Sequence, residues 1–165
     1  MGLVGRAVEQ MIHFYRGDGS DIAHFLKVYA LAQTIGRGEG LESALQETLE
    51  LAAVVHDIAC PACREKYGDT DGKHQERESP AIVEPFLREL GVPEAQVRRI
   101  SWLTAHHHTY TGVDGLDHRI LLEADFLVNS EEKGLSRAAS EAAEGQIFRT
   151  ETGKRLLRSM FPRDD

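Results

Sequence analysis

Four residues of this 165-residue chain pair metal-binding side chains with positions where a solvated side chain is not expected: His24, His56, Asp57 and Asp125. By helical spacing, His24 shares a face with Val28, Leu31 and Ile35, and His56 shares one with Leu45, Leu49 and Ala53. Asp125 falls among Leu121, Leu122 and Val128, where a carboxylate without a partner is costly to desolvate. A lone core histidine is more often a hydrogen-bonded packing residue than a ligand, and a buried Asp can be neutralised by Arg or Lys. Four such groups on three expected helices instead favour a divalent metal, which takes neutral imidazole nitrogens and offsets both carboxylates.

Other residues could join that chemistry. His106, His107 and His108 close an expected helix, the first two near the faces of Trp102 and Leu103 and the third equally explained by simple solvation at a helix end. His74, Glu76 and Glu78 lie in KHQERESPAIV, where either acid could orient a water or simply favour a helix start. Cys60 and Cys63 form C-x-x-C, but the strand and helix setting of a redox pair is missing and a zinc site would need two more ligands, so ordinary thiols are expected. Asp69, Asp71 and Gly72 resemble part of a calcium loop without its full spacing or its distal Glu.

The elements that must position these groups read as helices throughout. Apolar residues make up 41% of the chain and charged residues 28%, ordinary values for one soluble globular domain. The formal charge of -8 argues against general nucleic-acid binding. The N-terminal stretch lacks the apolar core of a signal peptide and no run approaches the roughly 18 apolar residues of a membrane span, so the expected compartment is the cytoplasm. Periodicity predicts an all-α bundle: helices over 5–15, from Ser20 or Asp21 to Ile35, and over 41–58. A polar loop is expected over 61–72, then helices over 76–90 and 93–107, one capped by Asp117 carrying Ile120 to Val128, and two packing helices over 135–148 and 150–160. Gly36, Gly38 and Gly40 are expected to end the second helix, and Pro80 and Pro85 blur the boundary of the fourth.

The order His, then His-Asp after an apolar helix, then a distant Asp resembles the HD-domain superfamily of metal-dependent phosphohydrolases, in particular its small single-domain members. The wording is local and specific: AHFLKVYALA around His24, LAAVVHDIA around His56 and Asp57, AHHHTYTGVDGLD from Ala105, and LLEADFLVN around Asp125. The likeness covers about residues 22–129 and implies an HD-type helical bundle with a motif-bearing core over about 20–130. It implies that His24, His56, Asp57 and Asp125 bind the metal, and that His106 and His107 bind a second ion or meet the substrate phosphate. Two-metal relatives carry another His where this chain has Gln75, so both one-ion and two-ion centres are open.

The activity implied is hydrolysis of a phosphate mono- or diester, a nucleotide among the candidates, by a metal-activated water. Asp57 would orient that water or accept its proton, and His106 or His107 would stabilise the phosphate or protonate the leaving oxygen, with His106 as the catalytic candidate. Of the basic residues near the expected mouth, Arg64 and Lys66 are the preferred phosphate partners, with His107. Mn, Fe, Co, Ni, Zn and Mg all suit the donors. The alternatives are a diiron oxygenase on the same scaffold and a sensing module that holds a phosphate ligand without turnover.

Overall fold

The computed structural model describes residues 1–162. Among the described residues every regular element is a helix: α1 (Leu3–Phe14), α2 (Gly19–Gly38), α3 (Ser43–Val55), α4 (Cys60–Tyr67), α5 (Gly72–Glu89), α6 (Glu94–Thr104), α7 (Gly115–Lys133), α8 (Arg137–Gln146) and α9 (Glu151–Met160). None of these helices is long and apolar enough to cross a membrane.

The centre of the bundle is α3. Its segment TLELAAVV is buried on every side, the signature of a helix surrounded by others. It packs against α1, α2, α6 and α7, while α5 covers α6 and α4 lies on α5. The core joins Val28 and Ile35 of α2, Leu49 and Val54 of α3, Ile100 and Leu103 of α6, and Leu121 and Val128 of α7. The C-terminal helices close one flank, α9 against α7 and α2.

Buried hydrogen bonds also hold that flank. Glu123 of α7, fully buried, accepts from the backbone N–H of Arg149 (2.7 Å) and of Thr150 (3.1 Å), and from the Thr150 hydroxyl. Thr150 in turn caps α9 by accepting from Gly153 N–H at 2.9 Å.

Several expected boundaries are corrected. The predicted loop over 61–72 contains α4, because Pro61 sits in the first turn, where its missing N–H costs nothing, and Gly68 ends the helix at φ 74°. Helix α5 begins at Gly72, capped by Asp71, and runs through Pro80 and Pro85. Helix α2 continues through Gly36 and Gly38. Gly36 serves a close approach: a Cβ there would come within 3.0 Å of Leu49 Cδ2 and overlap Gln46. Asp117 lies inside the first turn of α7 rather than capping it, and its carboxylate binds Arg99 at 2.6 and 2.8 Å. Helix α6 stops at Thr104, three residues short of the expected His107.

Candidate metal centre

The end of α3 sets the site. His56 keeps helical backbone angles just past Val55, and the chain then turns to present Asp57, whose backbone carbonyl accepts from the Tyr15 hydroxyl at 2.6 Å. Helix α2 brings His24 and α7 brings Asp125 to the same point.

His24 Nε2 lies 3.2 Å from His56 Nε2, 3.3 Å from Asp57 Oδ2 and 3.3 Å from Asp125 Oδ1. His56 Nε2 lies 3.5 Å from each of the same two carboxylate oxygens. Donors about 2.1 Å from one ion stand about 3.0 Å apart at right angles and about 3.4 Å apart at tetrahedral angles. The separations among His24, His56 and Asp57, all within 4.8 Å of one another, therefore fit a shared cation, and Asp125 adjoins both imidazoles.

The tautomers point the same way. His56 Nδ1–H donates to the Ala53 carbonyl at 2.7 Å and His24 Nδ1–H to Glu132 Oε2 at 2.9 Å. Each neutral ring therefore turns an Nε2 lone pair towards the other and towards two carboxylates. Four acceptors meet with no proton to share, and the donor set fits a divalent ion.

Without an ion, protons take its place. Burial opposes charge on His56, which is fully buried, but Asp57 and Asp125 outweigh it and hold its pKa well above the usual imidazole range. Burial likewise raises the pKa of Asp125, and hydrogen bonds from His24 and His56 reverse that to a net depression. Asn129 Nδ2–H fixes Asp125 by donating to its Oδ1 at 2.8 Å.

A second group adjoins the first through Asp57, whose Oδ1 lies 3.2 Å from His107 Nε2. Potential donor atoms of Asp57, His107 and His108 all lie within 4.8 Å of one another. His107 Nδ1–H donates to the Thr104 carbonyl at 2.7 Å, which again leaves Nε2 as an acceptor. Burial lowers the His108 pKa to about 4, keeping the ring neutral at physiological pH. His108 Nε2 and Gln75 Oε1 are buried without a hydrogen-bond partner, and both residues line the same cavity of 370 Å³ as His24, Asp57 and Asp125.

The other expected residues lie elsewhere. His106, expected at the metal, belongs to neither group. Its Nδ1 bonds the Trp102 carbonyl at 2.7 Å and its ring stacks on the Trp102 indole, with His118 edge-on. Because α6 ends early, the backbone turns after Thr104 and the pair facing Asp57 becomes His107 and His108. Arg64 lines the cavity but is held by Asp21, each Nη donating at 2.7 Å. Lys66 binds Glu78 at 2.8 Å outside it. His74 stacks on Tyr67 and bonds Asp69, while Glu76 accepts from His108 N–H and the Thr109 hydroxyl, steadying that segment. Cys60 and Cys63 are free and buried.

Sequence reasoning missed Asn129, Glu132 and Lys133, although their signal was present. They follow Asp125 by four, seven and eight residues on α7 and so share its face.

The HD-domain family profile matches residues 21–142, which contain all four converging donors and both adjoining histidines. The chain belongs to the HD-domain family. Among solved structures, this HD-domain chain is similar to one from an uncultured Thermotogales bacterium described as a predicted HD superfamily hydrolase. That likeness has a TM-score of 0.64 and 23% identity, covering 95% of this chain and 82% of the other; it concerns the fold. Over 110 residues the chain is 33% identical to a deoxyguanosinetriphosphate triphosphohydrolase-like protein of Rhodopseudomonas palustris (strain HaA2). The match covers 66% of this HD-domain chain and 24% of the relative, so the chain spans about a quarter of that relative's length.

Proposed function

We propose that this HD-domain protein is a metal-dependent phosphohydrolase that cleaves the ester of a small phosphorylated molecule. The observation that carries the reading is the meeting of His24, His56, Asp57 and Asp125 as acceptors around one point, with no proton to share among neutral imidazoles.

His24, His56 and Asp57, with Asp125 adjoining both imidazoles, would hold one ion, and Asp57 with His107 and His108 a second, in a cavity that Gln75 also lines. When bound, a divalent ion makes water acidic enough to lose a proton at roughly neutral pH and offsets phosphoryl charge. Asp57 lies between the two groups, and its carboxylate orients the attacking water and accepts its proton. Asn129 keeps Asp125 in one rotamer, and the backbone carbonyls of Ala53 and Thr104 keep the His56 and His107 rings aimed inward. His106 has no catalytic part in this reading, because its ring is stacked on Trp102.

The test is phosphate release from a panel of phosphate monoesters and diesters, with the protein reconstituted in turn with Mn, Fe, Co, Ni, Zn and Mg. Turnover is expected to persist without oxygen, which separates hydrolysis from an oxygenase. Asp57→Asn is expected to abolish both turnover and metal retention. A metal-loaded protein that binds phosphate but cleaves no ester would instead be a sensing module.

A further inference from the structure

The charged groups around the cavity restrict what the site can accept. Four carboxylates line it: Asp21, Asp57, Asp125 and Glu132. Asp57 and Asp125 flank the histidines, and their two charges match one divalent ion; a second ion held by Asp57, His107 and His108 would leave about two positive charges in surplus, what one phosphoryl group balances.

Two cations line the same cavity, Arg64 and Lys133. Arg64 makes a bidentate pair with Asp21, with Asp18 at 3.6 Å, so its charge is already committed. Lys27, nearby, is shared between Glu131 at 2.7 Å and Glu132 at 3.1 Å. Lys133 differs from both. It is the last residue of α7, on the face that carries Asp125, and among the described residues no carboxylate engages it.

One uncommitted cation beside a metal pocket with at most about two positive charges in surplus suits a phosphomonoester, which carries about -2 near neutral pH. It does not suit a triphosphate, which brings roughly double that charge and is bound where several cations or backbone N–H groups converge on the chain of phosphates. Size agrees: 370 Å³ is near the small end of ligand pockets, room for roughly a dozen waters. The neutral lining also agrees, because it includes the hydroxyl-bearing Ser20, Thr70 and Tyr110.

We propose that the substrate carries a single phosphoryl group on a neutral, hydroxyl-bearing remainder, that Lys133 contacts its phosphate, and that polyphosphates are poor substrates. This rests on the phosphohydrolase reading. It also separates this chain from the activity printed in the name of its Rhodopseudomonas relative.

The experiment compares glycerol phosphate, a nucleoside monophosphate and the same nucleoside's triphosphate on the metal-reconstituted full chain. Inorganic phosphate and tripolyphosphate release are assayed, and inorganic phosphate binding is measured by calorimetry. A monophosphate kcat/KM at least about tenfold above that of the triphosphate is expected. Lys133→Gln is expected to weaken phosphate binding and raise KM for the monoester about tenfold, the effect of one charge-assisted hydrogen bond at a partly exposed site. Lys133→Arg should restore most of that loss, with unchanged Tm in both variants. Equal or better turnover of the triphosphate, release of tripolyphosphate, or a Lys133→Gln protein that binds phosphate as well as wild type would overturn the proposal. If no ester is cleaved by any metal form, the phosphohydrolase reading fails first, and this proposal with it.

Discussion

Replacing Glu132 with Gln should weaken metal binding without disturbing the fold. Of the three histidines whose Nε2 faces the centre with Nδ1 bonded, His56 and His107 donate to backbone carbonyls and His24 donates to a carboxylate, Glu132 Oε2, at 2.9 Å. That oxygen lies across the imidazole ring from Nε2, about 6.5 Å from an ion bound there, where one negative charge attracts a divalent cation by about 1.3 kcal/mol even at the dielectric of water. Burial would strengthen this, and Lys27, 3.1 Å from the other carboxylate oxygen, partly offsets it. Glu132→Gln keeps the shape and an acceptor but removes the charge, so affinity should fall about tenfold, at the lower edge of what such outer partners contribute. Competition against a chromogenic chelator measures the affinity, and the Tm of the metal-free protein checks the fold. Affinity within twofold of wild type at unchanged Tm would refute the assignment of His24 as an ion ligand oriented by Glu132.

Other perturbations give distinct readouts. His107→Ala should lower bound metal in elemental analysis, whereas His106→Phe, which keeps a ring on Trp102, should retain it; the reverse pattern would exchange their roles. Gly153→Ala places a Cβ against Glu123 and Thr150, both buried and hydrogen-bonded, so it should cost about 1–3 kcal/mol in denaturant unfolding. Chelation should lower Tm more at about pH 8.5 than at about pH 6. In the metal-free protein, His24 and His56 have raised pKa values, so their stabilisation is full below the ordinary value of 6.5 and lost as pH rises through the raised ones. Asp57 and Asp125 have depressed values and lose their contribution only as pH falls below 3.8 towards those values. Protons thus substitute for the ion at mildly acidic pH but not at alkaline pH, and an equal or larger effect of chelation at about pH 6 would contradict this.

The converging donors were legible because each pairs a polar type with an apolar helical face, a conflict that sequence alone displays. Asp125 among Leu121, Leu122 and Val128 is the clearest instance. The choice among the three consecutive histidines was not legible: it depends on where α6 ends, and each residue of helix turns a side chain by about 100°. Stopping at Thr104 rather than His107 exchanges the ring that meets Asp57 for the one that meets Trp102. Helix α4 was hidden because it buries only Cys60 and Cys63, too few apolar positions to show a period. Gly36 was misread for a tertiary reason, since its value lies in letting Leu49 approach, a partner thirteen residues away.

The proposed ligands of the centre come from α2, from the end of α3 and from α7, with about a hundred residues between His24 and Asp125. A ribosome makes the first three of these donors well before the fourth. Until α7 has emerged, the growing chain offers a loose set of two imidazoles and one carboxylate. Capture of an ion by all four donors therefore waits until α7 has been made, and a product truncated before Asp125 would leave that coordination set incomplete.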